Sequence, residues 1–191
     1  MSVHVKSVCQ STFYYLRNIS YIRKYLTTEA TSCIIHSLIS SRMDYCNSLF
    51  YGMSGKLFKK LQGVQNTAAR IITGTRKYDH ITPILMELHW LPVKFRVHFK
   101  VLLLTYKALN NMAPKYISDL LTMYVPSRSL RSSSQLLLSI PKSRLATCGD
   151  RAFAIAAPKL WNSLPLSIRS SETVDAFKKR LKTHLFKLAF Y

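Results

Sequence analysis

Apolar side chains recur three or four positions apart along most of this chain. That spacing constrains the fold more than any other feature, because it is the period of one α-helix face and not of a strand. From residue 5 to 26 the stripe is Val5, Val8, Thr12, Tyr15, Leu16, Ile19, Ile22 and Leu26. A second helix begins behind Thr27 or Thr28, either of which can cap it, with Glu29 favourable in its first turn. Its stripe is Ala30, Ile34, Ile35, Leu38, Ile39 and Met43. Residues 44–54, which contain Gly52, read as a connection. A third helix follows over 55–72, with Leu57, Leu61, Val64, Ala68 and Ile72 on one face and Gly74 as its stop. Pro83 starts a short helix to Leu88, and Pro92 fits the first turn of a longer one over 93–110. Another short helix follows Pro114, through Leu121. Connections this short make successive helices pack antiparallel.

The pattern changes near Val125. Residues 126–135, rich in Ser and Arg, read as loop. Residues 136–140 are a short apolar run closed by Pro141, which suits a strand; Phe153 and Ile155, with Ala157 next in register, alternate and could pair with it as a hairpin. A short helix started by Pro158 over 159–164 and a final helix over 173–189 complete the chain. The stripe of the final helix is Val174, Phe177, Leu181, Leu185 and Leu188. Its ends carry Glu172 and Asp175, then Lys187, matching the helix dipole. The fold expected is mainly α, with a helical bundle over 1–125 and a small basic module over 126–191 holding a short β-hairpin and a C-terminal helix.

Composition enters through charge. With 48% apolar residues the chain can bury a core, so it is not a disordered basic tail. Yet 28 Lys and Arg stand against 8 Asp and Glu, a net of +20. Self-repulsion on that scale opposes a compact state and points to a polyanionic partner, nucleic acid first and an anionic membrane surface second. A membrane span needs about 20 consecutive apolar residues, and the densest run here, 101–106, falls far short. The first 28 residues lack acids, as a mitochondrial presequence does, but low acidity persists along the whole chain. Cys9, Cys33, Cys46 and Cys148 form no CxxC pair and have no His at zinc-finger spacing. They read as buried, reduced thiols of an intracellular protein, nuclear or cytoplasmic. No metal or cofactor site is read.

The carboxylates are Glu29, Asp44, Asp79, Glu87, Asp119, Asp150, Glu172 and Asp175, none adjacent to another. Metal-dependent nucleotidyl transfer needs at least two converging on paired magnesium ions, and the Asp-Asp pair of a polymerase palm is missing. GxxxxGK[ST], HExxH and GxSxG are also missing, and the six His have no evident partner. No catalytic residue is read.

Basic residues are set among aromatics instead. Arg96, Lys100 and Lys107 lie four and seven apart after Pro92, beside a face of Phe95, Phe99 and Leu103. That helix can bury an apolar stripe and offer cations to phosphates, or carry a merely solvated polar face. Arg128, Arg131, Lys142, Arg144 and Arg151 sit in Ser-rich stretches almost free of acids, where local pairing cannot neutralise them. Lys178, Lys179, Arg180 and Lys182 wrap the exposed face of the last helix. Trp90 and Trp161, each beside Leu and near Pro, read as core and not as base-stacking platforms.

Several blocks resemble a known family. They are Met43-Asp44-Tyr45-Cys46-Asn47-Ser48-Leu49, Leu61-Gln62-Gly63-Val64-Gln65-Asn66-Thr67-Ala68-Ala69-Arg70 and Leu88-His89-Trp90-Leu91-Pro92-Val93. Arg128-Ser129-Leu130-Arg131-Ser132 follows, then Gly149-Asp150-Arg151-Ala152-Phe153 through Ala157-Pro158-Lys159-Leu160-Trp161-Asn162-Ser163-Leu164-Pro165. The last is Phe177-Lys178-Lys179-Arg180-Leu181-Lys182-Thr183-His184-Leu185-Phe186. In this order they are similar to the region after the palm in reverse transcriptases of jockey-like non-LTR (LINE) retrotransposons, across essentially the whole chain. The resemblance implies early helices that are thumb-like or lie just beyond the thumb, and a remainder that grips template RNA or target DNA. It also implies a missing palm and endonuclease, as in a truncated copy of the element. Tyr15, Ile19 and Ile22 would then face the absent polymerase body and lie bare on the fragment, promoting self-association. The competing expectation is a helical module that docks on another protein and has no nucleic-acid role.

Overall fold

The first apolar stripe closes into α1, Ser2–Ile22, which buries Val5, Cys9, Thr12, Leu16 and Ile19. The computed structural model describes residues 1–126, 135–143, 145 and 149–191. The described chain is mainly helical. It forms two compact units, Met1–Val97 with Ala189–Tyr191, and His98–Leu188. The division falls at residue 97, whereas the change in composition falls near residue 125.

In the first unit Thr27 is the cap of α2, Thr28–Ile35: its hydroxyl oxygen accepts from the Ala30 N–H at 3.2 Å. The helix runs through a π-turn, His36–Ser40, into α3, Ser41–Asp44. Thr31, Ile35, Ile39 and Met43, each four apart, are all buried. A 3₁₀ turn, Asn47–Phe50, occupies the expected connection. Next comes α4, Gly55–Thr73, ended by Gly74 at φ 71°, a left-handed position suited to glycine. α4 carries Leu61, Val64, Ala68 and Ile72 into one core with Val5, Leu16 and Ile19 of α1. Burial of each of these Leu, Val and Ile side chains stabilises the unit by about 1.5–3 kcal/mol.

This packing corrects the expectation of a bare face on α1. Ile19 is 3% exposed because α4 covers it, Tyr15 packs against the core, and of the three residues only Ile22 stays largely exposed. α5, Ile81–Glu87, starts before Pro83, which sits in the first turn where its missing N–H costs nothing. Gln65, 1% exposed, donates from Nε2 to the Leu91 carbonyl at 2.9 Å, and Gln62 Oε1 accepts from the Val93 N–H at 2.9 Å. These bonds fix the entry to α6, Val93–Leu109. On α6 the buried positions are Val93, Val97, Val101 and Thr105, with Leu102, Tyr106 and Ala108. Phe95, Phe99 and Leu103 are only half-buried, so the expected apolar face is a flank of the real one. Thr12, Thr31 and Thr105 are buried at no cost in unmet hydrogen bonds, because each donates to the carbonyl four residues back at 2.7–2.9 Å.

The second unit holds the rest of α6, α7 (Lys115–Ser118), α8 (Phe153–Asn162), α9 (Leu166–Arg169) and, as far as Leu188, α10 (Val174–Phe190). Phe177 of α10 stacks on Tyr106 with ring centroids 4.2 Å apart and lies 5.9 Å from Trp161. The Tyr106 hydroxyl donates to the Ser171 carbonyl at 2.7 Å. Phe177, Leu181 and Leu185 are buried as the stripe requires, while Leu188 is 60% exposed. Trp161 is 2% exposed and its indole N–H donates to the Leu136 carbonyl at 2.8 Å; Trp90 packs against the first unit's core, its ring edge-on to His36.

The expected hairpin is overturned. Residues 153–157 are helical, the opening of α8, and Pro158 lies inside that helix and does not start one. Residues 153–157 hold three alanines, the strongest helix former, so their alternation carries no contrast in burial. The 136–140 run pairs elsewhere. Leu138 bridges Met123 in antiparallel fashion, flanked by Tyr124 N–H to Leu137 O and Ser139 N–H to Thr122 O. The Asn162 side chain completes the pairing by accepting from Leu138 N–H and donating to Leu138 O, at 2.9 and 2.8 Å.

The expectation of buried thiols holds for Cys9 but not for Cys33 and Cys46, which are exposed; Cys148 lies outside the described residues. Among the described residues no helix is long and apolar enough to cross a membrane.

Candidate nucleic-acid interface

A cation is available to a phosphate only if no carboxylate has already claimed it. Among the described residues three ion pairs form. Arg96 is bound to Asp44, so this member of the first cluster is already neutralised. Its neighbours on α6 differ: Lys100 is exposed and Lys107 half-buried. On α10 Lys178 reaches Asp175 at 3.1 Å, while Lys179 and Lys182 are exposed and unclaimed by any carboxylate. Arg180 donates to the Ser167 carbonyl at 2.8 Å, which holds the guanidinium against α9 and keeps its charge. Of the loop cluster, Lys142 is exposed and Arg151 half-buried in the 3₁₀ turn Gly149–Arg151; Arg128, Arg131 and Arg144 lie outside the described residues.

The structure brings together a further set outside the three expected clusters. α1 and α4 pack side by side in the first unit, and their outward edges leave a groove. One part is a concavity of about 720 Å³ bordered by Phe13, Ser20, Arg23, Gly63, Thr67, Arg70 and Lys77. It continues past Arg17 and Tyr21 and then past Lys6, Tyr14 and Lys60; Phe13 lines every part. Among the described residues six cations border the groove, Lys6, Arg17, Arg23, Lys60, Arg70 and Lys77, and no carboxylate does.

Local structure places each cation. Arg23 is fixed by donating to the Ile71 and Ile72 carbonyls at 2.9 and 3.0 Å. Arg70 donates from Nη2 to the Asp79 backbone carbonyl at 3.1 Å and so keeps its full charge. The Asp79 carboxylate is turned elsewhere, accepting from the Arg76 N–H at 3.1 Å. Lys6, Arg17, Lys60 and Lys77 are exposed. Beneath them, burial pushes the Cys9 thiol above its ordinary range, with nearby Lys60 opposing, so this sulfur is an inert packing group.

One more basic residue falls outside the expected clusters. Arg169 is 7% exposed, and its Nε and Nη1 have no hydrogen-bond partner. Burial lowers its affinity for the proton. Among the described residues no three of His, Cys, Asp or Glu gather as a metal site. Comparison of the chain with protein-family models, curated proteins and solved structures finds no match.

Proposed function

We propose that this chain is a non-catalytic nucleic-acid-binding segment, the post-palm portion of a jockey-like retrotransposon reverse transcriptase, which grips template RNA or target DNA largely through phosphates. The observation that carries the binding reading is the groove of the first unit, with six cations on its walls and no carboxylate. Placing a polyanion there releases condensed counterions, a sequence-independent gain. The exposed lysines of α10 in the second unit, Lys179 and Lys182, offer the same chemistry. The family assignment rests on the ordered blocks of the sequence. It makes the palm of the parent polyprotein a partner and the nucleus or cytoplasm the place of action. In that family chemistry on the nucleic acid belongs to the palm and the endonuclease, and no catalytic residue or cofactor is proposed for this chain.

The test is binding of a labelled RNA and DNA by fluorescence anisotropy, alongside primer extension on an RNA template with magnesium. Micromolar or tighter binding with extension at background is the expected pair of results. Absence of binding at low salt contradicts the binding reading, and extension that follows the protein through purification contradicts the non-catalytic one.

A second reading is favoured by a different observation. Tyr116, Leu120, Met123, Tyr124 and Val125 of the second unit are 42–82% exposed and close in sequence. Such a run suits docking on another protein. It predicts association that is insensitive to salt.

A further inference from the structure

We propose that the α1–α4 groove takes single-stranded nucleic acid, with bases stacked on Phe13, Tyr14 and Tyr21 and phosphates held by Arg17, Lys60 and Arg70; this rests on the nucleic-acid reading above and names the class of strand.

The first argument is the aromatic edge. Phe13, Tyr14 and Tyr21 are 44%, 64% and 73% exposed, on the outward side of a helix whose inward side is fully packed. Tyr14 meets the Tyr15 ring edge-on, with centroids 5.6 Å apart, yet keeps its 64% exposure; rings this exposed can stack, and each base stacked on a side-chain ring contributes affinity whatever its identity. From residue 13 to 21 the helix rises about 12 Å, the length of roughly three to four stacked nucleotides at about 3.4 Å each. A duplex cannot use these rings, because its base faces are already stacked on one another.

The second argument is the floor. Gly63 lies in the middle of α4, where glycine costs about 1 kcal/mol relative to alanine. A Cβ built there would meet nothing within 4 Å, so no packing in the free protein demands its absence. The missing side chain keeps the groove open. On the floor the Thr67 hydroxyl donates to the Gly63 carbonyl at 2.9 Å, and Asn66 Oδ1 accepts from Gln62 Nε2 at 2.8 Å. Stacking and phosphate contacts carry little base identity, so binding is tolerant of sequence.

Anisotropy titrations of the full chain with a mixed-sequence RNA of ~12 nucleotides, single-stranded and as a blunt duplex, test this at about 0.1 M salt. The single strand is expected to bind at least about tenfold tighter. Phe13→Leu and Tyr14→Leu, which keep apolar bulk and lose the ring, should each weaken single-strand binding roughly five- to a hundredfold. Their salt slope should not change, because no phosphate contact is lost. Gly63→Leu should weaken it similarly while leaving the melting temperature equal or higher. Arg17→Gln should flatten the slope by about 0.7. Equal binding of duplex and single strand, or full binding by the Leu variants, overturns the inference and leaves the nucleic-acid reading standing. Binding of neither form overturns both.

Discussion

Arg23 closes the end of α4 by donating from Nε to the Ile71 carbonyl at 2.9 Å. The same guanidinium donates to the carbonyls of Ile72 at 3.0 Å and Leu26 at 2.8 Å and to the Thr28 hydroxyl at 3.3 Å. One side chain thus meets two carbonyls that a helix leaves without internal partners, at the end where the helix dipole favours a cation. It also ties the turn after α1 to the start of α2. Arg23→Met should therefore destabilise the chain by about 2–3 kcal/mol, since charged hydrogen bonds to half-buried carbonyls are lost. Thermal melting checks this. Arg23→Lys should recover only part of the loss, because an ammonium cannot reproduce the guanidinium fork. Melting unchanged in Arg23→Met would show that water replaces the guanidinium without cost.

Arg169 makes the opposite forecast. Its guanidinium is buried with Nε and Nη1 unpartnered, and desolvation of an unpaired cation opposes folding. Arg169→Met keeps the stem and removes the charge. It should raise stability by about 1–2 kcal/mol, a gain of roughly 2–8 °C in melting temperature. A lower melting temperature would show that this arginine has a partner in solution.

What the sequence made legible was one-sided burial. Leu61, Val64, Ala68 and Ile72 on α4, or Phe177, Leu181 and Leu185 on α10, face one core with polar residues opposite, and helical spacing exposes them. Residues 153–157 were illegible as a helix because alanine is small enough for either face, so alternation there says nothing about burial. The partner of Leu138 was hidden because it is the amide of Asn162, not a strand. The groove was hidden for another reason. Arg17 is far along the chain from Lys60 and Arg70, and only the packing of α1 on α4 sets the three along one groove.

The ion pair of Arg96 with Asp44 separates two kinds of cation. Arg96→Gln should leave the salt dependence of RNA binding unchanged, because that charge is already neutralised. Lys60→Gln, at an exposed and unclaimed cation, should lower the slope by about 0.7 to 0.9. Titrations at several salt concentrations read both. A flattened slope in Arg96→Gln would mean that RNA displaces Asp44.

His184 on α10 gives a pH dependence. Burial, and secondarily the charge of Lys187, hold its imidazole below the ordinary value of 6.5. The unfolded chain therefore binds the proton first as pH falls. Stability from this group is complete above about 6.5 and is lost as pH drops through the lower, folded value. Proton NMR of the His184 ring should show a midpoint below 6.5, and His184→Gln should remove part of the acid-side loss of stability. A midpoint at or above 6.5 contradicts the burial of this ring.

The central claim, that the chain binds nucleic acid through its unclaimed cations, is tested most directly by the salt dependence of RNA affinity. If roughly 5 to 8 phosphates are neutralised, the logarithm of the binding constant should fall linearly with that of salt, a loss on the order of a thousandfold between about 50 and 200 mM. Replacing Arg128, Arg131, Lys142 and Arg144 together by Ala should flatten the line by a few units. A flat response in the parent chain would contradict the claim, and would leave docking on another protein as the function of these helices.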